Sequence, residues 1–333
     1  AARTEHNRFF VPRGGRHTRW RWDWTSDVCS SDLLKISRLG VGLAAIGEEL
    51  TIDEVDRAGK VLNAALDGGI NFLDTSANYL VSEELVGRTV SHRRTEFVLA
   101  TKAGYVTDKS AIDMWTKELI HQHIDRSLTR MKTDYLDLVQ LHSCSKEILE
   151  RGEVIEALLE AQTAGKTRFV GYSGDNEAAI WAVNSGYFDT LQTSFSIPDQ
   201  HARTNLFEPA HARKMGIITK RPIANGAWRS AINPTANLRY RPMRVYGDEY
   251  FRRAQLMAGL GPISGEPEDR FLTAIGFVLA HSDVTTAIVG TQNPSHMQDN
   301  IERVKHGSSL LSTIVEELQR RFDRLDDHWG QLT

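Results

Sequence analysis

The chain has 333 residues, 41% hydrophobic and 25% charged, with a formal net charge of -3. That balance belongs to a folded globular protein and offers no general attraction to nucleic acid or an anionic membrane, and no apolar run reaches the roughly 18 residues of a spanning helix. Two cysteines, Cys29 and Cys144, are too few for a disulfide framework and point to a reducing, cytoplasmic compartment.

Residues 1–33 stand apart. They carry six arginines against four acidic residues, and Trp20, Trp22 and Trp24 alternate with charged neighbours, without the apolar stripe of a membrane-surface helix. The stretch from Thr25 to Leu33 looks like translated sequencing-adaptor DNA joined to a reading frame. This leader is expected to be disordered and a non-native addition, with residues 34–333 forming a single domain.

From Leu34 the pattern is regular. Residues 34–42 alternate apolar and polar, as in a short hairpin strand, and Gly40 and Gly42 would allow close approach of a ligand. Thr51 and Glu54 form a capping box for a helix over 52–67, stopped by Gly68 and Gly69. Strand-like runs then alternate with helical ones: 71–74 with 82–90, 97–102 with 116–131, 136–142 with 154–164, 169–173 with 176–185, and 190–194 with 205–215. The run 216–220 precedes a long loop and a helix over 269–281, and 287–290 precedes one over 294–304. With the opening run these make eight strand–helix units, the count of a closed parallel (β/α)8 TIM barrel. An open doubly wound sheet is the competing α/β architecture, but the turn from Gly40 to Ala45 lacks its glycine-rich phosphate pattern. Outside the repeat lie the long loop after strand seven, residues 224–267, with a short helix over 247–258, and a C-terminal helix over 310–325. Leu311, Ile314, Val315 and Leu318 of that last helix are expected on the barrel wall.

Four consecutive strands deliver polar residues at their carboxyl ends, the face on which TIM barrels carry their chemistry. Asp74, Lys102, His142 and Ser173 come from these strands, and Tyr79 follows the first. The segment Gly69-Ile70-Asn71-Phe72-Leu73-Asp74-Thr75-Ser76-Ala77-Asn78-Tyr79, with Thr101-Lys102 and Gln140-Leu141-His142, resembles the signature regions of the aldo-keto reductase superfamily, over nearly all of residues 34–333. The resemblance implies nicotinamide-dependent interconversion of a carbonyl and an alcohol. The residue types suit that chemistry. A phenol, with a pKa near 10 in water, is a poor acid at neutral pH unless its anion is stabilised. Lys102 beside Tyr79 would supply that stabilisation, Asp74 would hold Lys102, and His142 would orient and polarise the carbonyl oxygen. Tyr79 is thus the expected general acid/base.

The same resemblance assigns cofactor contacts to Gly42, Asp74, Ser173, Gln192, Lys220, Arg221, Pro222, Gly290, Thr291, Asn293, His296 and Asn300. NADP(H) is favoured and NAD(H) possible. Ser173 and Gln192 would hold the carboxamide, and a helix starting near Pro294 would face a phosphate. The chain departs from the family at three places. Gly174 stands where an asparagine usually follows the serine, with Asp175 or Asn176 as substitutes. Lys220 stands where an aromatic ring meets the nicotinamide, with Phe195 as a replacement face. Gly290 and His296 stand where two cations clasp a 2′-phosphate. No metal site is expected, because His121 and His123 are two apart on a helix and do not face each other. Cys144 is expected to be a loop residue near the pocket, not a nucleophile, and Trp115 and Trp228 are candidate pocket walls. Two other functions remain open on the sequence: a barrel lyase or isomerase using Lys102 as a Schiff-base amine, and a non-catalytic nicotinamide-binding regulatory subunit. The expected partner is a small carbonyl or alcohol substrate, with no nucleic acid or membrane; oligomeric state is not legible.

Overall fold

The structure is a computed structural model that describes residues 34–106, 113–231, 246–307, 309–326 and 329–332. The expected disordered leader, residues 1–33, lies outside the described residues. Eight parallel strands close into a barrel in sequence order: β1 (Leu39–Gly42), β2 (Phe72–Asp74), β3 (Val98–Ala103), β4 (Leu136–His142), β5 (Thr167–Ser173), β6 (Thr190–Ser194), β7 (Gly216–Lys220) and β8 (Val284–Val289). The opening run is therefore not a hairpin: β1 pairs in parallel with both β2 and β8.

Period-two alternation divides each strand between two cores. Outward residues such as Val41, Leu73, Leu99, Val139 and Leu191 pack beneath the helices. Inward residues Phe72, Val98, Ala100, Leu138, Phe169, Ile218 and Ile288 fill the barrel, and Leu34 and Ile36 join them from the leading segment. Two residues further along the strands the inward positions turn polar: Asp74 follows Phe72, Lys102 follows Ala100, Gln140 follows Leu138, and Lys220 follows Ile218. An apolar plug thus supports a polar layer at the carboxyl ends. Gly40 belongs to the plug and does not serve a ligand, since a Cβ there would stand 2.9 Å from Phe72 and 3.0 Å from Ile288.

The helices follow the apolar stripes. Ala58, Val61, Leu62 and Ala65 are the buried face of the helix Val55–Asp67. It starts three residues later than the capping box implies. The Glu54 carboxylate does accept from the Thr51 N–H at 2.9 Å, but that bond closes the turn ahead of the helix. Between β6 and β7 the one helix expected over 205–215 is two, His201–Asn205 and Phe207–Ala212. Pro209 has no N–H to give the carbonyl of Asn205, so a continuous helix cannot form. After β7, residues 232–245 fall outside the described residues, and the helix Gly247–Ala258 has the bounds expected of it. The final helix, Ser312–Leu325, buries Ile314 and Leu318, whereas Leu311 precedes it and is 61% exposed rather than packed. Among the described residues no helix is long and apolar enough to cross a membrane.

Candidate active site

The polar layer is built around one buried carboxylate. Asp74 Oδ2 accepts from Lys102 Nζ at 2.5 Å, and its Oδ1 accepts from the amides of Gln140 at 3.1 Å and Gln192 at 2.8 Å. Lys102 also donates to the Thr75 carbonyl at 3.0 Å. Both ions are almost wholly buried. Burial alone would push the Lys102 ammonium down, but the Asp74 carboxylate and the Tyr79 phenol together hold it above the usual lysine value. Strand register explains the convergence: Lys102 pairs with Gln140, and Ser173 with both His142 and Gln192.

Tyr79 sits in the turn after β2, which stays tied to β3 through Thr75 N–H to the Ala100 carbonyl and Ala77 N–H to the Lys102 carbonyl, at 2.8 and 3.1 Å. The Lys102 ammonium lies 5.1 Å from the centre of the Tyr79 ring. On the other side the phenol meets His142 edge to face, with ring centres 5.6 Å apart. Gly47 backs this turn, and a Cβ there would stand 2.2 Å from the Tyr79 carbonyl oxygen. Tyr105 contacts the His142 ring at 5.8 Å and leans on Trp115. Burial, then Lys102 and Lys220, push His142 well below the usual histidine range, so the imidazole is neutral.

The far side carries a second ion pair. Asp175 receives Lys220 Nζ at 2.8 Å, together with the Thr193 hydroxyl and the Ser194 N–H. Burial lowers the Lys220 ammonium and Arg221 adds to that, while Asp175 opposes it. Residues near the chain end close over this pair: the Gln331 amide donates to Thr193 Oγ1 and the Ser194 carbonyl, and Arg221 donates to the Leu332 carbonyl.

A cleft of about 230 Å³ joins these parts, from Gly42, Ala44, Ala45 and Glu49 past Tyr79 and His142 to Lys220 and Gly290. The model of the aldo/keto reductase family matches residues 38–310. The chain belongs to the aldo/keto reductase family. The oxidoreductase YqkF of Bacillus subtilis is 28% identical over 86% of this chain and 92% of its own length. L-galactose dehydrogenase of Arabidopsis thaliana is 25% identical over 83% of this chain and 87% of its own. Aldo-keto reductase AKR11C1 from Bacillus halodurans has the same fold, with a TM-score of 0.71 at 24% identity over 89% of this chain and 95% of that one. Aldo/keto reductases are oxidoreductases acting between carbonyl and alcohol with a nicotinamide cofactor, and the polar groups here fit a carboxamide. Gln192 keeps one amide N–H beyond the bond to Asp74, and Ser173 Oγ, donating to Gln192 Oε1 at 3.1 Å, keeps its lone pairs.

Of the residues singled out in the sequence, the cleft brings together Gly42, Asp74, Tyr79, Lys102, His142, Ser173, Gln192, Lys220, Arg221, Pro222 and Gly290. Thr291, Asn293, His296 and Asn300 do not line it; they lie on the following loop and the helix Pro294–Gly307. There Asn293 Oδ1 caps the helix by accepting from the Ser295 N–H at 2.9 Å. Gln292 bonds Glu49, tying this loop to the helix Ala44–Glu49. Phe195 offers no face to a ligand, being wholly buried among Phe207, Phe277 and His281. Nor do Asp175 and Asn176 replace the missing asparagine. Asp175 is committed to Lys220, and Asn176 bonds the Gln331 carbonyl. Trp228 is packed under Arg270 and donates to Glu266, and neither it nor Trp115 lines the cleft. Burial pushes the Cys144 thiol up to about 12, far from a nucleophile. Among the described residues no cluster could hold a metal ion.

Three participants had no role assigned from the sequence, although Gln140 stands in the motif that ends at His142. Gln140 stands two residues before His142, and strand alternation was a usable signal for placing it inside the barrel. The short helix Ala44–Glu49 has no cap or stripe to announce it, and Gln331 reaches Asp175 from 156 positions away.

Proposed function

We propose that this chain interconverts an aldehyde, ketone or sugar carbonyl with the corresponding alcohol, using NADP(H) ahead of NAD(H), with Tyr79 as the general acid/base. The observation that carries this reading is the convergence of Asp74, Lys102, Tyr79 and His142 on one cleft. Bound nicotinamide supplies or accepts the hydride. Tyr79 gives its proton to the nascent alkoxide, and the Lys102 ammonium, fixed by Asp74, stabilises the phenolate left behind. His142, neutral, places the carbonyl oxygen through a ring N–H, a contribution of about 3 kcal/mol for a donor of this kind. Ser173 and Gln192 would hold the carboxamide, with Gly42 and Gly290 as bare backbone beside it. Thr291, Asn293, His296 and Asn300 would serve the adenosine end. A sugar-like substrate is supported by the similarity to L-galactose dehydrogenase.

A Schiff-base lyase needs a free amine, and Lys102 is held as an ammonium. The test is Tyr79→Phe, assayed by nicotinamide absorbance over a panel of aldehydes, ketones and sugars. Turnover is expected to fall about 10²–10⁴-fold with NADPH affinity retained; a rate near wild type refutes the assignment.

A further inference from the structure

Ser76 stands between Asp74 and Tyr79 in the turn after β2, and its side chain is shut off from solvent. Its Oγ accepts the Asn78 N–H at 3.2 Å and lies 3.0 Å from His142 Nδ1. A serine hydroxyl has one hydrogen to give, so the contact with the neutral ring can be made in two ways. If Nδ1 carried the proton and donated it, the hydroxyl hydrogen would be buried with no acceptor recorded for it among the described residues, an uncompensated polar group. If the hydroxyl donates to the Nδ1 lone pair, both groups are satisfied, and the single ring proton must sit on Nε2.

We propose that Ser76 is a positioning residue that fixes His142 as its Nε2–H tautomer, so that the cleft presents a hydrogen-bond donor, not a lone pair, to the substrate oxygen. The identity of a histidine's protonated nitrogen is set by the partner of the other one. A lone pair at Nε2 would repel a carbonyl oxygen, and more so as it gains negative charge; an N–H attracts it increasingly along the same path. The functional consequence rests on the carbonyl chemistry proposed above, but the tautomer does not.

The experiment therefore reads the two separately. In ¹⁵N-labelled full-length protein at pH 7.5, two-bond ring couplings report the tautomer, with His142 assigned by the signal missing from His142→Gln. The wild type is expected to show Nε2–H. Ser76→Ala is expected to shift a measurable fraction to Nδ1–H and to lower kcat about tenfold, with NADPH affinity within about twofold of wild type. Nδ1–H in the wild type overturns the proposal, and so does an unchanged tautomer or an unchanged kcat in Ser76→Ala. Should that variant fail to fold, the wild-type spectrum decides alone. A wild type that turns over no carbonyl compound counts against the proposed function and leaves the tautomer result standing.

Discussion

Replacing Lys102 by Met tests the centre of the site in a way that separates stability from catalysis. Met nearly matches the buried stem but leaves the Asp74 carboxylate, 2% exposed, with only the amides of Gln140 and Gln192 as donors. Removing one partner of a buried ion pair costs about 3–5 kcal/mol, because the other charge is stranded. That is a large share of the roughly 5–15 kcal/mol that holds a typical domain together. Asp74→Asn added to Lys102→Met removes the stranded charge, and the amide oxygen can still accept from both glutamines. The double variant is therefore expected to regain at least about 2 kcal/mol over Lys102→Met. Urea unfolding at pH 7 measures this, provided the slope with denaturant stays constant. Lys102 is raised in the folded state, so its contribution is complete at neutral pH and is lost only as pH rises past the ordinary lysine range. Activity should not follow stability: both variants lack the ammonium, and both are expected to lose at least about 100-fold in turnover. The reasoning is refuted if Lys102→Met unfolds within about 1 kcal/mol of wild type, or if the double variant is no more stable than the single.

Two further perturbations probe the surroundings. Gly47→Ala places a Cβ 2.2 Å from the Tyr79 carbonyl oxygen and 2.7 Å from Ser82, so the turn must shift; kcat is expected to drop about 10-fold or more, since a displacement near 1 Å can cost about 100-fold. NADPH affinity should change little, and a wild-type kcat would show that the turn gives way without moving the phenol. Asp199 is buried, and burial together with nearby Asp175 raises its carboxyl to about 7. The folded state therefore takes up a proton between about pH 4 and pH 7, and stability falls as pH rises through that window. Asp199→Asn is expected to flatten that slope and gain a few kcal/mol at pH 8, on the order of 1.4 kcal/mol per pH unit; thermal unfolding across pH 5–8 with the slope intact would contradict it.

What was legible in the sequence is what depends on local period. The bounds of β4, β6 and β7 coincide with the apolar runs expected there, because each run ends in a turn signal and faces apolar neighbours on both sides. β8 was read three residues short: it begins at Val284, and Thr285 and Thr286 lack the hydrophobicity of a buried strand although both are buried. Their β-branched shape was the better signal. Phe195 misled because nearness to Gln192 in sequence says nothing of direction once the chain leaves β6. Lys102 was expected on Asp74 and is found there, but Gln192 as a further partner of Asp74 and Gln331 as a partner of Asp175 were beyond reach for a simpler reason. Gln192 and Asp74 are 118 residues apart, and only closure of the barrel makes them neighbours.

The cleft holds two ammoniums, and each has its own carboxylate: Lys102 with Asp74 and Lys220 with Asp175. This pairing has two consequences that pull in one direction. Neither cation is left to attract a bulk anion into the barrel mouth, yet both still act on His142 and, behind burial, keep its ring neutral. A neutral imidazole can donate a hydrogen bond, but it is a far weaker acid than an imidazolium. On the proposed reading the transferable proton comes from a hydroxyl, and among those lining the cleft Tyr79 is a phenol whereas Ser143 and Ser173 are alcohols. Lys220, standing where the family places an aromatic ring, would on that reading contribute to the same division of roles as Lys102, through its charge on His142.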